Sequence, residues 1–129
     1  MNFRLPKTER LHSQKSIKEL FDKGSSFFLY PFKVLYLVKD LEEHSSAPNQ
    51  ILFSVSKRKI KKATGRNLMK RRMREAYRIN KHLLSNSSRQ LFIGLLYVSS
   101  EAMDFKSLEE KTKKVLERIY SEVKNQPHE

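Results

Sequence analysis

The 129-residue chain contains no cysteine. Thiol nucleophiles, disulfide frameworks and thiolate zinc sites are excluded together. It has no long apolar run either: its most hydrophobic stretches, Val34 to Val38 and Leu91 to Val98, fall well short of the ~20 residues that cross a bilayer. The opening MNFRLPKTERLHSQK is polar and charged and lacks the apolar core of a signal peptide, so a soluble, cytoplasmic protein is expected. Acid is scarce, with 14 Asp plus Glu against 27 Lys plus Arg, which leaves a formal net charge of +13. Internal repeats and low-complexity tracts are also missing.

What is present suffices for one domain. A hydrophobic content of 38% with 10% aromatics can build a core, and a chain of this size hides roughly two-thirds of its unfolded surface without a metal or disulfide. Residues 1–129 are therefore read as a single domain, with 1–8 and 124–129 expected as flexible ends. The charge is concentrated: between Lys57 and Lys81 stand twelve basic residues and one acid, Glu75, a net of +11 that leaves +2 for the rest of the chain. Basicity serving only solubility would be spread out, so this concentration points to a docking surface for a polyanion.

Local patterns give the element order. Ser13 is an N-cap for a short helix whose apolar Ile17, Leu20 and Phe21 recur at spacings of three and four, with Gly24 as the stop. Pro31 divides an aromatic, β-branched run into an edge strand near Ser26–Leu29 and a longer strand from Phe32 to Val38. Asp40 to Asn49 is a polar loop. Ile51, Phe53 and Val55 alternate as in a half-buried strand, and Leu91 to Val98 reads as a central one. Phe105 to Val123 carries a helical apolar stripe. The order α-β-β-β-α-β-α predicts an α+β sandwich with helices on a four-stranded sheet.

The basic segment contains a helix expected from Ala63 to Leu84. At ~100° per residue, Met73, Ala76, Tyr77, Leu83 and Leu84 fall within about 80° of Met69, forming a buried stripe. Asn67, Lys70, Arg71, Arg74, Arg78 and Lys81 fall between about 100° and 200° on the same wheel. Like charges at i, i+3 and i+4 disfavour the isolated helix by a few tenths of a kcal/mol per pair, a strain that a polyanion relieves. Planar guanidinium groups suit phosphates and stacking on bases.

The run Arg66-Asn67-Leu68-Met69-Lys70-Arg71-Arg72-Met73-Arg74-Glu75-Ala76-Tyr77-Arg78 resembles the signature helix of the bacterial ribonuclease P protein component, R-N-R-x-[KR]-R-x-x-R-E-x-[FY]-R. Ser54-Val55-Ser56-Lys57-Arg58 is similar to the V-S-K-K element before it, and Leu5-Pro6-Lys7 through Arg10-Leu11 to the family's opening segment. The resemblance runs from about Leu5 to the terminal helix. There are two departures. Leu68 replaces the second Arg of the triplet, which implies one missing phosphate contact, and Tyr97-Val98-Ser99-Ser100-Glu101 replaces a basic segment.

The resemblance implies the ribosomal protein S5 domain 2-like fold and an accessory role in a ribonucleoprotein endoribonuclease. The family's protein binds ribonuclease P RNA and the 5′ leader of precursor tRNA, while the RNA, holding most of the Mg²⁺, performs the cleavage. The RNA-binding set so implied is Lys57, Arg58, Lys62, Arg66, Asn67, Lys70, Arg71, Arg74 and Arg78. The leader cleft carries over Ile17, Phe21 and Tyr36, although Phe21 at helical spacing from Ile17 equally suits an ordinary core. No catalytic or metal-binding residue is expected in the polypeptide: His12, His44, His82 and His128 are scattered, and no carboxylate pair is placed for two-metal chemistry. A monomer outside the holoenzyme is expected. The rival readings are a general or ribosomal RNA-binding protein, a DNA-binding helix and a membrane-surface helix; the last lacks Trp, and burial against the sheet explains its apolar face better.

Overall fold

The computed structural model describes residues 5–41, 47–84 and 89–124. Ser13 caps α1 (Gln14–Lys23) by accepting a hydrogen bond from the Ser16 amide at 3.4 Å, and Gly24 ends it by returning its N–H to the Leu20 carbonyl. The chain enters β1 (Ser25–Leu29), reverses at Tyr30-Pro31, and returns as β2 (Phe32–Asp40). There follow β3 (Gln50–Val55), α2 (Ala63–Asn80), a 3₁₀ turn over Lys81–Leu84, β4 (Arg89–Tyr97) and α3 (Phe105–Lys124). The expected order is observed. The central strands are longer than their apolar runs because β2 and β4 pair from Phe32↔Tyr97 to Asp40↔Arg89, and the final pair is closed by an ion pair at 3.2 Å.

Two segments differ from expectation. The α-helical part of the basic segment stops at Asn80, whose buried amide donates to the Ala76 carbonyl at 2.8 Å and to Glu109 of α3 at 3.2 Å. The 3₁₀ turn then continues and still buries Leu84. Residues 5–8 are not a loose end: Leu5 is fully buried in the main core, and the Leu11 amide bonds to the Ile51 carbonyl, so this segment packs beside β3. Residues 1–4 and 125–129, and half of the expected polar loop (42–46), lie outside the described residues.

The sheet order is β1-β2-β4-β3, antiparallel except for the parallel pair β3 and β4. A parallel pair requires a crossover, and α2 provides it. One sheet face, carrying Val34, Tyr36, Ile51, Val55, Ile93 and Leu95, packs against Met69, Met73 and Tyr77 of α2 and Leu108, Val115, Leu116 and Ile119 of α3. The opposite face places Leu35 and Phe92 with Leu20 of α1 and with Leu11. Gly94 lets α1 approach closely: a Cβ there would stand 3.3 Å from the Leu20 side chain. Lys39 holds α1 from the sheet side, with its ammonium 2.9 Å from both carboxylate oxygens of Glu19.

Met73 is fully buried between α2 and the sheet. Met73→Ala is expected to cost about 2–5 kcal/mol of stability, read as a lowered urea midpoint with an unchanged m-value.

Candidate nucleic-acid interface

The loop between β3 and α2 turns sharply, because the amides of Lys59 and Ile60 both bond to the Ser56 carbonyl. Lys57, Arg58 and Lys59 are therefore held out in solvent. Arg66 ties this loop to the first turn of α2, its Nη1 donating to the carbonyls of Ile60 at 3.0 Å and Lys61 at 2.7 Å. Ile60 lies over Gly65, where a Cβ would come within 3.0 Å of its Cγ2. A side chain at 65 would push the loop away from the helix.

The basic residues divide into two groups. Arg66 braces the loop. Arg72, on the buried side of the wheel, donates to the Met103 carbonyl at 2.7 Å and so joins α2 to the start of α3. Arg78 is clasped by Glu75 through two bonds of 2.6 and 2.9 Å, and this pairing holds the Glu75 carboxyl below its ordinary value and the Arg78 guanidinium above its own. Lys81 reaches Glu9 at 2.8 Å. Lys57, Arg58, Lys59, Lys61, Lys62, Lys70, Arg71 and Arg74, by contrast, form no ion pair among the described residues, and with exposed Asn67 they face solvent wholly or in part. Leu68, 38% exposed, lies on the surface beside them and does not enter the core.

The expected cleft residues do not converge. Ile17 and Phe21 are on α1, Ile17 packing partly against the smaller core and Phe21 49% exposed. Tyr36 lies on the opposite face, only 3% exposed, where its hydroxyl donates to Glu122 of α3 at 2.6 Å. Alternation along β2 puts Tyr36 with Phe32 and Val34, and that face is the one α2 and α3 cover. Tyr36 is therefore a core residue here and does not line a cleft with Phe21.

The sheet offers other residues on the α1 side. The register Phe28↔Lys33, Lys33↔Leu96 and Ser54↔Leu96 sets these four side chains in one row across all four strands. The row spans about 14 Å at ~4.8 Å per strand. The next row, Leu35 with Gly94, is covered by α1, whereas Phe28 is 60% exposed and Lys33 is open to solvent. The row ends at Ser54, three residues before Lys57. Phe28 and Lys33 are absent from the sequence-based set; strand alternation groups them but does not reveal which face α1 occupies.

After β4, the Ser99 hydroxyl meets that of Tyr30 at 2.9 Å and accepts from the Glu101 amide, while the Tyr97 hydroxyl donates to the Glu101 carbonyl. The residues that replace the family's basic segment thus form a closed polar turn. Among the described residues no three His, Asp or Glu converge in a metal-binding group. Glu75 accepts from Arg78, and Glu122 accepts from Tyr36 and Arg118.

A basic helix with an uncompensated cationic face, carried on a small α+β sandwich, defines a nucleic-acid-binding domain. The family model described as Ribonuclease P matches residues 5–120. A ribonuclease P protein component from Porphyromonas gingivalis is 40% identical over 125 residues, covering 94% of this chain and 90% of the relative. One from Petrotoga mobilis is 31% identical over 120 residues, covering 93% and 86%. Among solved structures, the ribonuclease P protein of Thermotoga maritima superposes with a TM-score of 0.69 at 27% identity, covering 85% of this chain and 96% of that one. The Staphylococcus aureus protein, at 19% identity and a TM-score of 0.65 with 88% and 96% coverage, supports the fold alone. The chain belongs to the family of ribonuclease P protein components, subunits of a tRNA-processing ribonucleoprotein whose partner is an RNA.

The Tyr36–Glu122 bond makes a pH-dependent contribution. Accepting from Tyr36, then from Arg118, keeps the Glu122 carboxyl below its ordinary value in the fold, so the stabilisation is present above the unfolded value and is lost as pH falls through the folded one. Tyr36→Phe is expected to cost about 1 kcal/mol at neutral pH. In urea titrations across pH, the gap between wild type and variant should close below the glutamate range.

Proposed function

We propose that this polypeptide binds ribonuclease P RNA through the outward face of α2 and holds the 5′ leader of precursor tRNA along the open row of the sheet. The RNA, with Mg²⁺ that it holds itself, hydrolyses the phosphodiester joining leader to mature tRNA, and the polypeptide supplies no catalytic group. The observation that carries this reading is the set of cations without an ion pair among the described residues, Lys57, Arg58, Lys62, Lys70, Arg71 and Arg74, grouped with Asn67 on one helix face and the loop that feeds it. Cations left without acids to pair with gain most from phosphates, and each contact releases condensed counterions. Arg66 and Arg78 join this surface through their position but are held by Ile60, Lys61 and Glu75, so they serve chiefly to orient it. The protein is read as cytoplasmic and as a monomer until it meets its RNA.

The leader surface is the row Phe28, Lys33, Leu96 and Ser54, with exposed Phe21 on α1, the helix that Ile17 helps pack against the same side of the sheet. A single strand suits it, because bases stack on exposed rings while Lys33 and Lys57 track the phosphates. Tyr36 contributes by packing alone.

Reconstitution tests the reading. Added to ribonuclease P RNA at limiting Mg²⁺, the protein should raise the rate of leader removal, and without RNA it should cleave nothing. Arg71→Ala and Arg74→Ala should each weaken RNA binding and reduce the log–log salt slope by roughly 0.7–0.9. An unchanged slope would remove that residue from the interface.

The leader surface makes a separate prediction. Phe28→Ala should weaken binding of a precursor tRNA carrying a leader by about 1–3 kcal/mol and leave binding of mature tRNA unchanged. Tyr36→Phe should alter neither. If Tyr36→Phe weakens leader binding while Phe28→Ala does not, the leader runs on the other face.

A further inference from the structure

Phe32, Tyr97 and Val55 pair across β2, β4 and β3, so β2 begins and the other two strands end in a single row. Three segments leave the sheet together at that end. The Tyr30-Pro31 reversal is bound there by the Val98 amide, which donates to the Pro31 carbonyl at 3.0 Å. On the other side of β4 the Ser56 amide donates to the Tyr97 carbonyl at 3.1 Å, which brings the loop of exposed Lys57, Arg58 and Lys59 to the same edge. The reversal and the start of the basic loop thus stand about 10 Å apart, two strand spacings of ~4.8 Å. The exit of β4 between them, residues 98–104, carries Glu101 and Asp104 and no cation. Tyr30 is 50% exposed, and its hydroxyl lies 2.9 Å from that of buried Ser99. Neither α2 nor the open sheet row accounts for so large a ring held out at this corner.

We infer that Tyr30 is a stacking site for one unpaired nucleobase of the RNA bound at this end of the sheet, an inference that rests on the RNA-binding reading above and deepens it. The residue is tied at both ends. The Pro31–Val98 bond fixes its backbone turn, and Ser99 holds its hydroxyl while itself accepting from the Glu101 amide at 3.1 Å. A ring fixed before binding loses little side-chain freedom on contact, so the stacking energy is retained. With the hydroxyl engaged by Ser99, what remains open to a ligand is the ring surface, and every base has a π-face to lay on it. The site is therefore indifferent to base identity. A phosphate is not drawn to an exit that carries two acids, whereas Lys57, Arg58 and Lys59 stand near enough to take the phosphates flanking a stacked base. The basic segment that Ser99-Ser100-Glu101 replaces would offer an ionic contact; Tyr30 supplies in its place one that salt does not weaken.

Two equilibria test the site across a range of salt: the protein with ribonuclease P RNA, and the reconstituted holoenzyme with precursor tRNA. Each is measured for wild type, Tyr30→Phe and Tyr30→Leu. Phe keeps the ring, and Leu keeps apolar bulk but removes the stacking face. Tyr30→Leu should weaken one equilibrium about five- to 150-fold with an unchanged salt slope, while Tyr30→Phe should lose roughly threefold or less. A loss seen with precursor but not with mature tRNA assigns the base to the 5′ leader; a loss in binding ribonuclease P RNA assigns it to that RNA. Thermal unfolding establishes that each variant is folded. If Tyr30→Leu is not, p-benzoylphenylalanine placed at position 30 decides: on irradiation of the holoenzyme with precursor tRNA it should cross-link to a single-stranded nucleotide, with the same group at exposed position 120 of α3 as the control. A wild type that binds neither RNA overturns this inference together with the proposed function. With wild-type binding intact, the stacking site alone is overturned by a folded Tyr30→Leu of undiminished affinity, by a loss that comes with a reduced salt slope, by Tyr30→Phe falling as far as Tyr30→Leu, or, where the cross-link decides, by no RNA product from position 30.

Discussion

Everything at the candidate interface depends on the parallel pairing of β3 with β4. Parallel neighbours cannot be joined by a hairpin, so a crossover element must lie on one sheet face, and α2 is that element. The helix can cover the sheet only with its apolar stripe, and Met69, Met73, Ala76 and Tyr77 are accordingly buried. Fully burying a large apolar side chain is worth about 1.5–3 kcal/mol, whereas adjacent like charges on a helix cost a few tenths of a kcal/mol per pair. Burial wins, and the cations are left facing outward as an unrelieved cluster.

Not every cation in that cluster is equivalent. Arg66, Arg72, Arg78 and Lys81 each bind a group of this same chain, bracing the loop, the α2–α3 junction, Glu75 and the N-terminal segment respectively. Charge counting assigns all of them to the partner. Packing separates the ones that build the surface from the ones that remain open on it, and the open set lies between Lys57 and Arg74 with the braced Arg66 and Arg72 among it.

The two sheet faces are unequal for a similar reason. One is sealed by α2 and α3 over nearly its whole area, so an aromatic there, such as Tyr36, must find its hydroxyl partner inside and takes Glu122. On the other face α1 is drawn down over Gly94 and leaves the row from Phe28 to Ser54 uncovered. The Phe28 ring on the edge strand thus stays available beside Lys33, in the row that ends near the loop opening the basic helix.

By itself the sequence determined the elements and their order, because helix and strand periodicities, the Ser13 cap, the Gly24 stop and the break at Pro31 are local properties that need no partner. It also determined that the charge belongs to one segment, from Lys57 to Lys81, and the run from Arg66 to Arg78 marked the family. Only the tertiary structure decided which face each strand side chain shares with which helix. Alternation groups Tyr36 with Val34 and Phe28 with Lys33, but the side on which α1 lies depends on long-range packing. For the same reason the role of each arginine was not legible: whether a guanidinium meets a carbonyl of Met103 or open solvent is set by where α3 begins, some thirty residues further along the chain.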